Sequence, residues 1–275
     1  RQLPLNIIQH GAFNAAHLET FLILLRNCKD KSLLIDNDGY TLLHYLLEAD
    51  SDRTEFIESL IKTGADIEAK TTGGKWRGAI GQTPLLSSLA SSALIQTSYD
   101  YKGPNIKNLQ CILQQGANVF AIDAEGCGPI NILASTSLID EDNLEKLKLL
   151  HANRADLNTP DLDGCTPLIN AIIHNKWKFA KLLIELGADC KIVPEAEFIF
   201  QSQAFRLGKK EVDHDLEYLS EIFEIIDFFI KGGFDITNSN DLSDSPLISL
   251  KEKLGEGYFK LSDVPKNNRL RKLLE

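Results

Sequence analysis

An all-α solenoid of helix-turn-helix units, joined by short β-turn or hairpin fingers, is the fold class this sequence predicts, and three observations predict it. Residues 164–189 read GCTPLINAIIHNKWKFAKLLIELGAD, two short helices between a leading glycine and a closing Gly-Ala-Asp. The leading element recurs as Gly39-Tyr-Thr-Leu-Leu-His44, Gly81-Gln-Thr-Pro-Leu-Leu86 and Gly126-Cys-Gly-Pro-Ile-Asn131, and without its glycine as Ser243-Asp-Ser-Pro-Leu-Ile248. The closing element recurs as Gly64-Ala-Asp66, Gly116-Ala-Asn118, Arg154-Ala-Asp156 and Gly232-Gly-Phe-Asp235. A helix pair this short cannot bury both faces alone, so the copies must stack on one another.

The 164–189 copy carries its own start and stop signals. Thr166 can cap the first helix and Pro167 suits its first position, where a missing N–H costs nothing. Leu168, Ala171 and Ile172 recur at helical spacing and form the core face. Asn175 stands at the reversal, where a left-handed residue is needed. A second helix from about Lys176 should bury Phe179, Ala180, Leu182, Leu183 and Leu186, with Trp177 packed in the core or groove. Gly187 closes it in a left-handed cap. In length and motif the stretch resembles an ankyrin repeat, with its T-P-L-H-x-A signature.

Taken in order, residues 1–35 are expected to form an N-terminal helical cap, with an apolar stripe over Ala15 to Cys28. Repeats follow at about 36–70, 71–120, 121–158, 159–191 and 192–237, and 238–275 is a C-terminal partial repeat and cap of one solenoid. The 164–189 copy also serves as a ruler: Gly164 and Gly187 are 23 residues apart, whereas Gly39 to Gly64 is 25 and Gly81 to Gly116 is 35. The extra residues of the second repeat fall near Ser92 to Asn105, between its two helices. Those of the third, between Gly126 and Arg154, fall around Thr136 to Asp142. Lys75 to Ile80 lengthens the finger that links the first and second repeats. After Cys190 the pattern is damaged: a first helix around Glu195 to Phe205 has lost its start, a polar loop runs from Gly208 to Asp215, and Leu216 to Lys231 is an apolar second helix. Pro246 to Leu254 reads as a final first helix.

Composition narrows the function. A net charge of −10 argues against nucleic acid or an anionic membrane as partner, since both need a basic face. Lys209-Lys210 and Arg269-Leu-Arg-Lys272 are short, acid-flanked clusters that read as solvated surface. No apolar run approaches membrane-span length, and no N-terminal signal pattern is visible, so a cytoplasmic protein, a monomer without cofactor, is expected. Five cysteines without paired spacing suggest no disulfide framework, and no metal-ligand spacing occurs. No phosphate loop or nucleophile elbow is present, so no catalytic residue is assigned. His44 takes the histidine position of the T-P-L-H motif, where the resemblance implies a structural hydrogen-bonding role. Cys111 and Cys190 read as packing residues.

The resemblance implies a protein-binding scaffold that engages a protein or peptide through its concave face and fingers. Lys75, Trp76 and Arg77 on the lengthened finger are candidate contacts, because tryptophan and arginine are enriched in interface hot spots. The alternative is that Trp76 folds back over its own repeats. Tyr99 and Tyr101 are candidates on the opposite rim, or pack the long loop. The worn repeats and expanded loops are also similar to those of ankyrin-containing effectors that intracellular bacteria such as Legionella secrete, which would make the partner a host protein. Two other readings stay open: the targeting part of a larger enzyme, or a cryptic Cys-dependent enzyme.

Overall fold

Asp36, Asp123 and Asp161 each stand three residues before a glycine, and this spacing folds the turn that precedes a helix pair. Each carboxylate accepts two backbone N–H bonds across its own turn, at 2.8–3.1 Å, from Asp38 and Tyr40, from Glu125 and Cys127, and from Asp163 and Cys165. The glycines that follow, Gly39, Gly126 and Gly164, sit at φ 83°, 76° and 79°. Gly39 is demanded twice, since a Cβ there would lie 2.8 Å from the Thr72 amide nitrogen of the next finger.

The computed structural model describes residues 35–73, 80–90, 104–136, 140–189, 216–232, 246–255 and 260–275. Four helix pairs are complete. The first helices are α1 (Leu42–Leu47), α3 (Pro84–Ala90), α5 (Pro129–Ser135) and α7 (Pro167–Ile173). Their partners are α2 (Thr54–Lys62), α4 (Ile106–Gln114), α6 (Asp140–Ala152) and α8 (Trp177–Glu185). Then come α9 (Leu216–Lys231), α10 (Pro246–Gly255), a 3-10 turn at Leu261–Asp263 and α11 (Arg269–Leu274). Among the described residues there is no sheet; one isolated antiparallel bridge joins Ile35 to Thr41.

Helix ends follow from the residues at them. The hydroxyls of Thr83 and Thr166 accept the N–H of Leu86 and of Ile169, each at 3.4 Å, capping α3 and α7. The second helices of the four complete pairs close the same way. Gly64, Gly116, Arg154 and Gly187 have φ of 91°, 91°, 68° and 99°. Their N–H groups donate to Ile61, Leu113, His151 and Ile184, and the following alanines donate one residue further back, to Leu60, Ile112, Leu150 and Leu183, at 2.9–3.2 Å. This is the paired closure of a Schellman motif, which satisfies the last carbonyls of the helix.

The chain divides into two units, Arg1–Asp156 and Leu157–Glu275. In the first, α1, α3 and α5 pack in succession and α2 packs on α4. Leu43, Leu47, Ile57, Leu86, Ile112 and Leu133 there are fully buried. Asn108 of α4 is also fully buried and ties two pairs together: its Oδ1 accepts the Arg53 N–H at 2.7 Å, and its Nδ2 donates to the carbonyls of Leu46, Ala49 and Ser51 at 3.0–3.3 Å. In the second unit α8 packs on α7 and α9, and α11 packs on α9 and α10. The Asn268 amide there donates to the Phe223 carbonyl at 2.7 Å, and the Arg269 N–H to Asp227 at 2.7 Å.

Three expectations change. Leu182 and Leu186 are half-buried, while Phe179, Ala180 and Leu183 are fully buried, so the core face of α8 is narrower than its leucine count suggests. On α9, Phe223 and Ile226 are fully buried and Ile230 is half-buried. The extra residues of the third pair do not form a loop through Asp142, because α6 starts at Asp140 and runs 13 residues against nine in α2, α4 and α8. The expected N-terminal cap, the first helix around 195–205, the polar loop 208–215 and Cys190 lie outside the described residues.

Candidate functional site

The first unit holds three successive fingers joined by backbone hydrogen bonds. The Thr72 and Gly73 amides donate to the Asp38 carbonyl at 2.8 and 3.1 Å, linking the second finger to the first. The Ala124 amide donates to the Ile80 carbonyl at 3.0 Å, linking the third to the second. Side chains add to the row: the Asn118 N–H donates to Glu68 at 2.8 Å, and the Lys70 ammonium to the Ile122 carbonyl at 3.3 Å. The stem of the second finger is itself closed by bonds from Thr71 N–H to Gln82 and from Gly81 N–H to Thr71, at 3.0 and 2.8 Å.

Finger segments of both units hold apolar side chains out to solvent. Among the described residues, the exposed large hydrophobic side chains are Ile35, Ile80, Phe120, Ile122 and Leu162, all on finger segments, with Phe120 64% and Leu162 76% exposed. Around Phe120 exposure alternates, Ala121 and Asp123 being buried and Phe120 and Ile122 exposed, as in extended chain. Their backbone is anchored on both sides, so the cost of ordering them is already met in the fold.

Of the sequence candidates, Lys75, Trp76 and Arg77 and also Tyr99 and Tyr101 lie outside the described residues. The chain pattern did not single out Phe120 and Ile122, yet a signal was there. In the finger register Phe120 matches Glu68 and Asn158, and Ile122 matches Lys70 and Pro160, so two apolar residues replace polar or turn-forming ones.

Beside the first finger, α1 presents a titratable cluster. His44 is fully buried; its Nδ1 accepts the Thr41 N–H at 3.1 Å, so its Nε2 carries the proton and donates to the Gln82 carbonyl at 3.2 Å. Burial pushes His44 down to about 4, so the ring is neutral and joins the first helix pair to the turn of the second. Glu48, at the end of α1, is pushed up to about 8 by burial, against the hydrogen bond from Ser87 of α3 and aided by the charge of Asp36. Burial and then Glu48 push Tyr40 up to about 12. The Tyr45 hydroxyl donates to Asp36 at 2.5 Å.

The thiols fit packing roles. Cys111 and Cys165 are buried, and burial raises both, Cys165 to about 12, the reverse of what a nucleophile needs. His174 caps the end of α7 at the surface. Among the described residues no group of three or more His, Cys, Asp or Glu could hold a metal ion, and no helix is long and apolar enough to cross a membrane. In the second basic cluster Arg269 pairs with Asp227 and Arg271 with Glu275.

Comparison with known proteins meets this geometry. Residues 136–184 match the family model for ankyrin repeats in many copies. The ankyrin repeat domain of Bcl-3, a member of the IkappaB protein family, superposes with a TM-score of 0.56 at 17% identity, over 90% of this chain and 93% of that one. The chain has the ankyrin-repeat fold. The chain is 30% identical over 150 residues to Rabankyrin-5 of Mus musculus, and equally to that of Homo sapiens, covering 53% of this chain and 11% of either protein. It is 22% identical over 160 residues to the phosphocholine transferase AnkX of Legionella pneumophila, covering 58% of this chain and 14% of that protein. The chain thus spans about a tenth to a seventh of the length of the curated relatives it matches.

Proposed function

We propose that this chain is a protein-interaction scaffold that binds a protein or peptide through the concave face of its first helices and through its fingers. Ankyrin repeats generally mediate protein–protein interaction. The observation that carries the reading is the bonded row of fingers with Ile35, Ile80, Phe120 and Ile122 exposed on it. Exposed apolar side chains gathered on one series of bonded fingers are the kind of surface that marks an interaction site. In this reading Phe120 and Ile122 are the anchors, the finger bearing Lys75, Trp76 and Arg77 adds contacts beside them, and Tyr99 and Tyr101 serve the opposite rim. The scaffold acts as a cytoplasmic monomer.

The similarity to AnkX favours a second reading, a secreted effector that works in host cytoplasm on a host protein. The small share of each relative that is matched favours the targeting part of a larger protein, an enzyme included. The protonated thiols of Cys111 and Cys165 weigh against a Cys-dependent enzyme built on either.

The test is affinity capture from a cell lysate with the native chain, with Phe120→Ala/Ile122→Ala and with Trp76→Ala/Arg77→Ala. Hot-spot truncation costs about 2–4 kcal/mol, so retention of the specific partner should fall at least about thirtyfold in the first variant. Undiminished retention by both variants would overturn the finger reading.

A further inference from the structure

In the four complete helix pairs one position lies eleven residues before the left-handed closure: Arg53 before Gly64, Asn105 before Gly116, Asn143 before Arg154 and Lys176 before Gly187. In three of them it is the N-cap of the second helix, at Arg53, Asn105 and Lys176. Asn105 shows what an asparagine does there, its side chain accepting the Lys107 N–H at 2.9 Å. In the third pair α6 starts at Asp140 and runs past the position, leaving Asn143 inside the helix. Asn143 is fully buried, its Nδ2 donates to Thr136 at 3.3 Å, and its Oδ1 has no hydrogen-bond partner. A buried orphan carbonyl of this kind needs an explanation.

We infer that α6 has two start points, a long form beginning at Asp140 and a short form in which the first turn unwinds and Asn143 becomes the N-cap. In the short form Asn143 Oδ1 accepts the Glu145 N–H, as Asn105 accepts that of Lys107, and the orphan acceptor is satisfied. Each start has its own support in the sequence. Asp140, Glu141 and Asp142 suit the positive end of the long helix, and Glu145 takes a first-turn position in the short one. The short form restores the nine-residue length of the other second helices, Leu144 to Ala152. It also lengthens the connection from α5, which then runs through Asp142. The third pair therefore carries a connection of two lengths, which a bound partner can select.

Amide hydrogen exchange on the full chain tests this. The amides of Leu144 and Lys146 are bonded in the long form alone, whereas that of Glu145 keeps a partner in either form, so Leu144 and Lys146 should exchange about tenfold or more faster than Leu147 to Leu150. Asn143→Leu removes the cap and should bring Leu144 and Lys146 close to the rate of the later turns. Leu144→Pro places proline deep in the long helix but at the first position of the short one, where it is favoured. That variant should fold cooperatively, with protection from Leu147 onward kept. Equal protection of the two stretches in the native chain, or fast exchange that Asn143→Leu leaves unchanged as ordinary fraying would, overturns the proposal.

Discussion

The third and fourth helix pairs solve the same folding problem with different local chemistry. In the fourth, Thr166 caps α7 through its hydroxyl, Asn175 turns the chain at φ 57°, and Gly187 closes α8 at φ 99°. In the third, Gly128 stands at the N-cap of α5 without a side chain, Asn143 leaves a carbonyl orphaned, Lys146 is buried with its pKa lowered by burial, and Arg154 is held at φ 68°. Each pair buries a lysine, Lys146 or Lys176, and holds one non-glycine residue left-handed, and the third adds an orphaned carbonyl and a first helix without a capping side chain. The fold tolerates worn repeats because neighbours share the work of burial, and local defects are carried by the stack.

Substitutions in the two pairs should expose this difference. The largest effect is expected from Leu183→Ala in the fourth pair, which empties a fully buried site and should cost about 2–5 kcal/mol in urea denaturation. Half-buried Leu182→Ala should cost less than half as much; equal losses would mean that the α8 core face is misplaced. The caps come next: Thr166→Ala should lose about 1 kcal/mol, and Gly128→Ser should gain several tenths. Arg154→Gly should gain about 1 kcal/mol or less, because glycine takes a left-handed conformation without the Cβ penalty. No gain in thermal midpoint from Arg154→Gly would remove one of the costs assigned to the third pair.

The fold was legible wherever local chemistry forces a conformation. Glycine at the turns, threonine before proline and Gly-Ala-Asp at the closures each act within a few residues, and all recur. Burial around the helix was less legible. Leu182 and Leu183 are alike as residues, and what separates them is the neighbour that packs on α8. The length of α6 was misread because an insertion of a few residues can become a loop or another helical turn, and the acidic triplet at 140–142 suits both. At the candidate site, Lys75, Trp76 and Arg77 drew notice as residue types, whereas Phe120 and Ile122 required one finger to be set against another. Their significance lies in the contrast with Glu68 and Lys70.

His44 and Glu48, one helical turn apart on α1, set a proton balance between the native and unfolded chain. Unfolded, they titrate near 6.5 and 4.5; folded, they titrate near 4 and 8. Between about pH 4.5 and 6.5 the unfolded chain holds its proton on the histidine and the native chain holds one on the glutamate, so the numbers match and this pair gives stability no slope. Above 6.5 the native chain keeps the extra proton on Glu48, and stability falls as pH rises towards 8. Below 4.5 the unfolded chain binds one more proton than the native one, and stability falls as pH drops towards 4. Two oppositely displaced groups thus act as a buffer for the junction of the first two repeats, flat across the mildly acidic range and failing on either side of it.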